Sequence, residues 1–563
     1  RYHHLFADLL RNHLRQTSPE TLPTLHRRAS AWFQGVGQYA EAIQHSNAIQ
    51  DYDMTTAIID QAARQLKMFS GWGQILYWIK RLPEAEIDQR PNLARLKAWG
   101  LVLTDQVNGV ESLLAGLEHS LQSGQIEKSV IQSWRGQIKT LRARLAYLKG
   151  DFPAAIIYSQ QASDLLSEND LITRFFLLIT LGLSHVSEGE LTTASQALEE
   201  ARRCSVALSN PVAELEAIGI LAEVQELQGR LHQAVETYRR ILELAGERID
   251  LSVLSAHYHL GIVLYEWYQL EEAQNHLETC LSLAQVIQHP EAGLMTSLWL
   301  ARIALARGEY QRAEELVHAI ELEANQVTGT INAPYIDGFL SMLRLSLNTT
   351  ASQAVTYPEE LSLPEEILAS SFLYQKLDYL NQIRLLTSLN RYIEAETLAK
   401  RVLRVAESIG DTSVIIQLLA LKALILQGQG DTTQAIVTLT LALQRGQPED
   451  YTASFVDLGA RMAELLRLAA SQSIMPDYVA RLLSLISEQD TLPQMPPRMV
   501  EPLSQRELEI LRLVATGYSN QEIADQLVLA VGTVKKHLNN IYGKLGVQSR
   551  TQCILRAQEL DLL

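Results

Sequence analysis

Basic, amide and hydroxyl side chains occur at short spacing near the end of the chain. They are Thr533, Lys535, Lys536, Asn539 and Lys544. Ammonium and amide groups donate hydrogen bonds to phosphate oxygens and to the acceptors that base pairs present in the major groove. A threonine hydroxyl near a helix start can bind a phosphate beside free backbone amides. These residues therefore predict a DNA-binding site, and the alternative is an ordinary solvated helix face.

The charge of this segment differs from that of the whole chain. The 563 residues carry a formal net charge of -16 at pH 7, which alone would count against a nucleic acid partner. Residues 498–563, however, contain eight basic and seven acidic residues, and residues 531–550 contain four basic residues and no acidic one. A small basic face attached to an acidic body remains compatible with DNA binding.

The elements that must position these side chains can be read from helix-start signals. A serine is followed three residues later by Glu or Gln, the pattern of a capping box, at Ser504/Glu507, Ser519/Glu522 and Ser549/Gln552. Helices are predicted over 505–515, 520–527, 532–545 and 551–560, a helix-turn-helix followed by a fourth helix. In the third helix the apolar residues fall at helical spacing, which turns the lysines and Asn539 outward.

Five motifs in this segment resemble a LuxR-type DNA-binding domain: LSQRELEIL (503–511), GYSNQEIA (517–524), GTVKKH (532–537), YGKLGV (542–547) and SRTQ (549–552). The resemblance implies that Lys535, Lys536 and Asn539 read bases and that Thr533 and Lys544 contact the DNA backbone. It also implies that the last helix, 551–560, forms dimers. Where the family has a serine that caps the third helix, this chain has Ala530.

A second pattern repeats through most of the chain. The turn Gly-x-(Tyr/Phe/Leu)-x-x-Ala begins at positions 37, 150, 189, 229 and 308, with degenerate copies at 268, 390 and 430 and a weak one expected at 349–354. Seven residues earlier the side chain is small in most copies, at Ala143, Gly182, Ala222, Gly261, Ala301 and Ala423, with Ile383 as the exception. A period of about 40 residues with small side chains and a turn glycine predicts stacked helical hairpins.

This repeat resembles the long tetratricopeptide repeat of large bacterial regulators of the maltose-activator type, over residues 25–444. The resemblance implies an all-α superhelix whose concave surface binds a small-molecule or protein inducer. The predicted organisation is the end of a winged-helix-like segment (1–24), a tetratricopeptide-like repeat array (25–490), a Pro-rich linker (491–502) and the helix-turn-helix domain (503–563).

Aromatic residues within the repeats allow two interpretations. The clusters Trp72, Tyr77, Trp78 and His257, Tyr258, His259, Tyr265, Trp267, Tyr268 either line an inducer pocket or pack between helices, and helical spacing favours packing. Cys280 stands at a small-residue position and is expected to pack. His3 and His4 point to different faces of a helix, so no metal site is expected there.

The function predicted is that of a sequence-specific transcription regulator, an activator, acting on double-stranded DNA as a homodimer or higher oligomer with RNA polymerase. Because the sequence contains no nucleophile elbow, phosphate loop or metal-ligand spacing, no enzymatic activity, cofactor or metal is expected. The first ten residues resemble the end of the segment that follows a nucleotide-binding module, so ATP is expected only through residues upstream of Arg1. The protein is expected in the cytoplasm, without a membrane partner. The alternative is a scaffold or adaptor without specific DNA recognition.

Overall fold

The computed structural model describes residues 13–14, 16–17, 19–65, 71–104, 106–122, 128–324, 333–348, 367, 369–490, 503–545, 547, 549–559 and 562. All secondary-structure elements assigned in these ranges are helical, as the sequence predicts. Within the same ranges, no helix is long and apolar enough to cross a bilayer. The chain forms two compact units, Arg1–Arg248 and Ile249–Leu563.

The first unit opens with a 3₁₀ turn, Pro19–Thr21, and continues as α-helices. These are α1 (Leu22–Gly35), α2 (Tyr39–Ala48), α3 (Tyr52–Gln65), α4 (Trp72–Ile79), α5 (Glu84–Asp88), α6 (Pro91–Leu103), α7 (Val110–Gln122), α8 (Lys128–Leu148), α9 (Phe152–Ser163), α10 (Leu171–Ser187), α11 (Leu191–Ala207), α12 (Pro211–Leu227) and α13 (Leu231–Ala245).

The second unit continues the hairpins and ends in a group of short helices. Its repeat helices are α14 (Leu251–Glu266), α15 (Leu270–Val286), α16 (Pro290–Ala306), α17 (Tyr310–Ala324), α18 (Ala333–Asn348), α19 (Ala369–Ser388), α20 (Tyr392–Ile409), α21 (Thr412–Gly428) and α22 (Thr432–Gly446). A 3₁₀ turn, Gln447–Glu449, precedes α23 (Ala453–Val456), α24 (Gly459–Ser471) and α25 (Pro476–Asp490). The last four helices are α26 (Gln505–Ala515), α27 (Asn520–Leu527), α28 (Val531–Leu545) and α29 (Arg550–Glu559).

The turns between paired helices have the left-handed backbone that the repeat predicts. Positive φ values, from 59° to 88°, occur at all eight predicted positions: Gly37, Gly150, Gly189, Gly229, Tyr268, Gly308, Asn390 and Gly430. Glycine adopts this conformation without steric cost, which explains its recurrence. The helical-hairpin prediction is therefore confirmed at these turns, while the weak copy at 349–354 lies outside the described residues.

Small side chains at the predicted register allow the paired helices to approach closely. A Cβ added to Gly182 would lie 2.8 Å from the Leu198 side chain, and one added to Gly261 would lie 2.5 Å from Leu277. Cys280 is fully buried, with Sγ 3.3 Å from Thr296 Oγ1, so its predicted packing role agrees with the structure. The small residues therefore occur where paired helices contact each other closely.

Residues 447–490, here called the closure segment, fold back onto the start of the second unit. The Thr452 backbone N–H lies 3.0 Å from the Glu266 carbonyl oxygen, and the Ser454 N–H donates to the Glu266 carboxylate at 2.9 Å. Trp267 Nε1 donates to the Glu449 carbonyl at 2.9 Å. Contacts across more than 180 residues of sequence therefore close this part of the array around an interior cavity.

Most of the aromatic residues that might have lined an inducer pocket contribute to packing. Trp78 belongs to the core of the first unit, whereas Tyr77 is exposed beside Arg81. In the second unit Tyr258 is buried and accepts a hydrogen bond from Trp299 at 3.2 Å. Tyr265 differs, because it lines the interior cavity. His3 and His4 lie outside the described residues.

Candidate nucleic-acid interface

The carboxyl-terminal helices α26–α29 share a hydrophobic core of their own. Its fully buried members include Ile510, Ile523, Val534, Ile541 and Cys553, which come from all four helices. Residues from 503 to 562 form this cluster without a contribution from the repeats. The segment therefore has the packing of a small four-helix domain.

The helix starts of this domain match the sequence prediction. Ser504 caps α26 and Ser519 caps α27, and in each case the Glu three residues on accepts a hydrogen bond from the serine backbone N–H. Two of the three predicted capping boxes are therefore confirmed. At the start of α29 the Gln552 N–H donates to Ser549 Oγ at 3.3 Å. These caps fix the ends of the helices and hence the directions in which their side chains point.

The connection between α27 and α28 contains a backbone conformation that the sequence pattern does not predict. Val528 has a φ of 53°, in the left-handed region, and is 90% exposed. The Leu529 N–H donates to the Ala524 carbonyl at 2.9 Å, and Arg506 donates to the Leu527 carbonyl at 2.8 Å. A β-branched residue is costly here, so these hydrogen bonds hold the tight turn of the helix-turn-helix.

Helix α28, here called the recognition helix, presents four of the predicted site residues to solvent. Thr533, Lys535, Lys536 and Asn539 are all exposed, whereas Val534, Leu538 and Ile541 on the opposite side are buried. Asn539 follows Lys536 by three positions and Lys535 by four, so the three side chains are neighbours on the helix surface. The structure thus brings together two cations, an amide and a hydroxyl on one accessible surface.

Lys544, the fifth predicted residue, has a different environment. Its Nζ lies 2.9 Å from Glu507 Oε2, and the side chains of Lys544 and Glu507 are 20% and 6% exposed. Burial raises the pKa of the Glu507 carboxyl, but hydrogen bonds from Ser504 and Lys544 outweigh it, so the pKa lies below its ordinary value. Lys544 therefore joins α28 to α26, a role that spacing along one helix could not reveal.

Arg550, the last basic residue of the acid-free stretch 531–550, also holds the domain together. Its guanidinium donates to the carbonyl oxygens of Tyr518 and Val514 and to Asn520 Oδ1. Two of the four basic residues in this stretch are thus engaged in contacts within the domain. The exposed cations of the recognition helix are Lys535 and Lys536.

The recognition helix begins where the sequence placed an uncapped start. Its first residue is Val531, one residue earlier than predicted, and the Thr533 and Val534 N–H groups donate to the Ala530 carbonyl at 2.9 and 3.2 Å. Ala530 occupies the position before the helix and has no side-chain acceptor for the free amides. Helix α29 spans Arg550–Glu559, close to the predicted 551–560, with Cys553 and Ala557 turned into the core.

Comparison with known proteins agrees with this architecture. A family model described as "MalT-like TPR region" matches residues 136–472, which is more than half of the chain. The chain belongs to the MalT-like TPR family. A second model, "Bacterial regulatory proteins, luxR family", matches residues 501–557, the domain that carries the recognition helix.

Curated relatives extend the similarity over almost the whole chain. "HTH-type transcriptional regulator MalT" of Serratia proteamaculans (strain 568) is 27% identical over 591 residues, covering 99% of this chain and 64% of the relative. The protein of the same name from Yersinia pestis (strain Pestoides F) is 27% identical over 595 residues with the same coverage. The chain therefore spans less than two thirds of the length of these relatives.

A solved structure, "Crystal Structure of Rap Protein Complexed with Competence and Sporulation Factor", matches 71% of this chain and 99% of its own, with a TM-score of 0.41 and 13% identity. Likeness at this level does not establish a shared fold.

Proposed function

We propose that this protein is a transcription regulator that recognises specific DNA sequences through α28. The observation that carries the proposal is the exposed group Thr533, Lys535, Lys536 and Asn539 on one helix, within the segment that matches the luxR family. An α-helix of this kind fits the major groove, where lysine and asparagine side chains donate to base acceptors. The relatives named above are transcriptional regulators.

The five predicted site residues have different proposed roles. Lys535, Lys536 and Asn539 read bases, and Thr533 contacts a phosphate near the helix start. Lys544, whose side chain is 20% exposed, contacts the DNA backbone. Base contacts provide sequence preference, whereas backbone contacts provide affinity for any duplex.

The small number of exposed cations has a consequence for assembly. Few phosphate contacts give weak binding by one domain, and linking two domains raises the effective concentration of the second. We therefore propose a homodimer or higher oligomer on paired half-sites, with α29 as the dimer contact. The proposal extends to activation through RNA polymerase, to an inducer on the repeat array and to action in the cytoplasm. It assigns no catalytic role to this chain.

The experiment begins with selection of genomic fragments by the full chain. Affinities for a selected duplex and a scrambled duplex are then measured by fluorescence anisotropy at several salt concentrations. Lys535→Ala and Lys536→Ala should each reduce the preference for the selected duplex by about 1 to 3 kcal/mol. Lys544→Ala should weaken binding to both duplexes similarly. Lys149→Ala, which removes one exposed lysine of the repeats, is the control and should change neither affinity.

The results also distinguish the alternative function. Equal losses on both duplexes for Lys535→Ala, Lys536→Ala and Lys544→Ala would reject the assigned roles. A wild-type chain that prefers no fragment at any salt concentration would favour a scaffold or adaptor.

A further inference from the structure

The interior cavity of the second unit is a site that the DNA-binding proposal does not use. Its volume is about 550 Å³, within the range of pockets that bind small organic ligands. The walls come from repeat helices α14, α16, α17, α18, α19 and α21 and from the closure segment. The lining includes the apolar side chains of Leu305, Met342, Leu421 and Leu424, here called the apolar wall. Three arginines, Arg302, Arg384 and Arg461, add positive charge to the same lining.

Arg302 is a cation that the protein itself neutralises. Its Nη2 lies 2.7 Å from Asp457 Oδ2, and the side chains are 12% and 16% exposed. The same carboxylate oxygen accepts the Tyr265 hydroxyl at 2.9 Å. The Arg302 guanidinium also lies over the rings of Tyr265 and Trp299, 4.9 and 5.1 Å from their centres. Arg302 and Asp457 therefore hold the closure segment against α14 and α16.

Arg384 lines the same cavity but has no ion-pair partner of its own within the described residues. Its Nη1 lies 3.4 Å from Met342 Sδ and its Nη2 lies 3.4 Å from Gln417 Oε1, both uncharged partners. Among the described residues, no carboxylate lies within ion-pair distance of this guanidinium. Burial, followed by the charge of Arg302, lowers its pKa to about 10, so the group stays charged at neutral pH. A desolvated cation without a counter-ion is unfavourable unless an anion joins it.

Arg461 adds a third cation at the cavity wall. Its guanidinium donates to the Thr387 carbonyl at 3.2 Å, to Asn390 Oδ1 at 3.1 Å and to the Tyr392 hydroxyl at 3.2 Å. All of these partners are uncharged. Asp457 is the single acidic residue among the described residues that line the cavity. Three cations and one carboxylate leave the cavity with an excess of positive charge.

Asn381 provides a second, independent indication that the cavity binds a ligand. Its side chain is 1% exposed and lines the cavity. The Nδ2 group donates to the Gly338 carbonyl, whereas the Oδ1 atom is a buried acceptor with no donor in the described part of the chain. Buried polar atoms without a partner are uncommon in folded proteins, and a bound water, an ion or a functional role can account for them.

We propose that this cavity binds a small organic acid, whose carboxylate or phosphate pairs with Arg384 and whose hydroxyl or amide group donates to Asn381. The apolar wall receives the hydrocarbon part of the same molecule. Arginine suits this role because its planar guanidinium donates two parallel hydrogen bonds to an oxyanion. The inference rests on the proposed sensor role of the repeats and names the chemical class of ligand.

The test uses thermal unfolding of the full chain at constant ionic strength. The probes are 4-hydroxyphenylacetate and 4-hydroxyphenyl phosphate, with the uncharged 2-(4-hydroxyphenyl)ethanol and hydroquinone as counterparts. Either acid should raise the Tm in a concentration-dependent way, and the uncharged compounds should not. The two acids show whether the site prefers a carboxylate or a phosphate. Equal shifts with acids and alcohols, or no shift with either acid, would overturn the proposal.

Arg384→Met is the decisive variant, because it keeps the unbranched apolar part of the side chain and removes its charge. The Tm of the ligand-free variant should equal or exceed that of the wild type, since a half-buried cation without an ion-pair partner is gone, and the acid should bind at least tenfold more weakly. Arg404→Met, at an exposed arginine outside the cavity, is the control and should leave acid binding unchanged.

A lower ligand-free Tm for Arg384→Met, failure of this variant to fold, or unchanged acid binding would each overturn the proposal, because Arg384 would then be a structural residue. The assay contains no DNA, so its failure leaves the DNA-binding proposal standing. Conversely, acid binding by a chain that selects no DNA fragment would reject the regulator and retain the ligand site.

Discussion

Cationic side chains surround a cavity in the repeat array and lie on the surface of the recognition helix, and the two regions differ in how these charges can be neutralised. Around the cavity, Arg302 is paired with Asp457 at 2.7 Å, whereas Arg384 has only uncharged partners. On the recognition helix, Lys535 and Lys536 are exposed to solvent. An enclosed cation can be neutralised only by a molecule small enough to enter, while an exposed pair can meet a long polyanion such as a DNA duplex.

The carboxyl-terminal domain also contains a paired cation, so paired and available cations can be compared in both regions. Lys544 contacts Glu507 at 2.9 Å with little exposure, much as Arg302 contacts Asp457. Each region therefore has cations that are engaged in contacts within the fold and others that remain available to a ligand. Substitutions at the paired cations should change stability, at Lys544 in addition to affinity for DNA, and substitutions at the available cations should change binding.

The largest effect on stability is expected at the pair beside the cavity. Asp457→Asn leaves the Arg302 cation desolvated without its carboxylate, which should lower the free energy of unfolding by about 3 kcal/mol. Hydrogen exchange of the α16 amides at increasing urea concentration measures this change locally. The same substitution should release the closure segment, which Arg302 contacts through Asp457.

Asp450→Asn is the matched control for that prediction. Asp450 pairs with Arg481 at 2.8 Å, but both side chains are nearly half exposed. Loss of this surface pair should cost less than about 1 kcal/mol. Equal losses for Asp457→Asn and Asp450→Asn would show that burial does not distinguish the two pairs.

A smaller effect is expected at the ion pair of the carboxyl-terminal domain. Glu507→Gln keeps the capping box but removes the charge that Lys544 contacts, which should lower the free energy of unfolding of this domain by about 1.5 kcal/mol at neutral pH. The folded pKa of Glu507 lies below the unfolded value of about 4.3. Its contribution is therefore complete above that value and is lost as the pH falls through the folded pKa. The difference between wild type and variant should shrink in that acidic range.

Glu522→Gln provides the control for this pH experiment. Glu522 accepts the same backbone hydrogen bond in the second capping box, and within the described residues it has no ion pair. Its substitution should change stability less than Glu507→Gln does. If both substitutions have the same effect at neutral pH, Lys544 contributes nothing to the stability of the domain.

The smallest effect is expected at the uncapped start of the recognition helix. Ala530→Ser supplies an acceptor for the free amides of the first turn and should raise the stability of the domain by about 1 kcal/mol. Ala530→Val adds no acceptor and should give no gain. Hydrogen exchange of the α28 amides measures both changes. Equal exchange rates in wild type and Ala530→Ser would mean that the helix does not begin after Ala530.

Local features of the fold were predictable because they follow from short-range physics. The glycine turns repeat every 40 residues or so, and the backbone at these positions is left-handed as predicted, even where Tyr268 and Asn390 replace glycine. Helices α26 and α27 begin and end at the predicted residues, because capping boxes mark their starts and Gly517, with a φ of 94°, follows the end of α26.

Contacts between distant segments could not be predicted in the same way. The closure segment carries no repeat motif, yet Thr452 and Ser454 meet Glu266 far earlier in the chain. The sequence pattern does not distinguish Arg384 and Asn381 from other helix residues, because their role depends on helices that meet around the cavity only in the folded protein. Lys544 was predicted to belong with the recognition surface by its position on α28, and its ion pair with Glu507 depends on the packing of α26.

The central claim is that the exposed lysines of the recognition helix read DNA sequence, and one measurement tests it most directly. The affinity of the full chain for its selected duplex is divided by the affinity for a scrambled duplex, in wild type and in the double variant Lys535→Ala/Lys536→Ala. The account predicts that this ratio falls by at least tenfold in the double variant, while the cavity still binds its acid. A ratio that is unchanged in the double variant would contradict it.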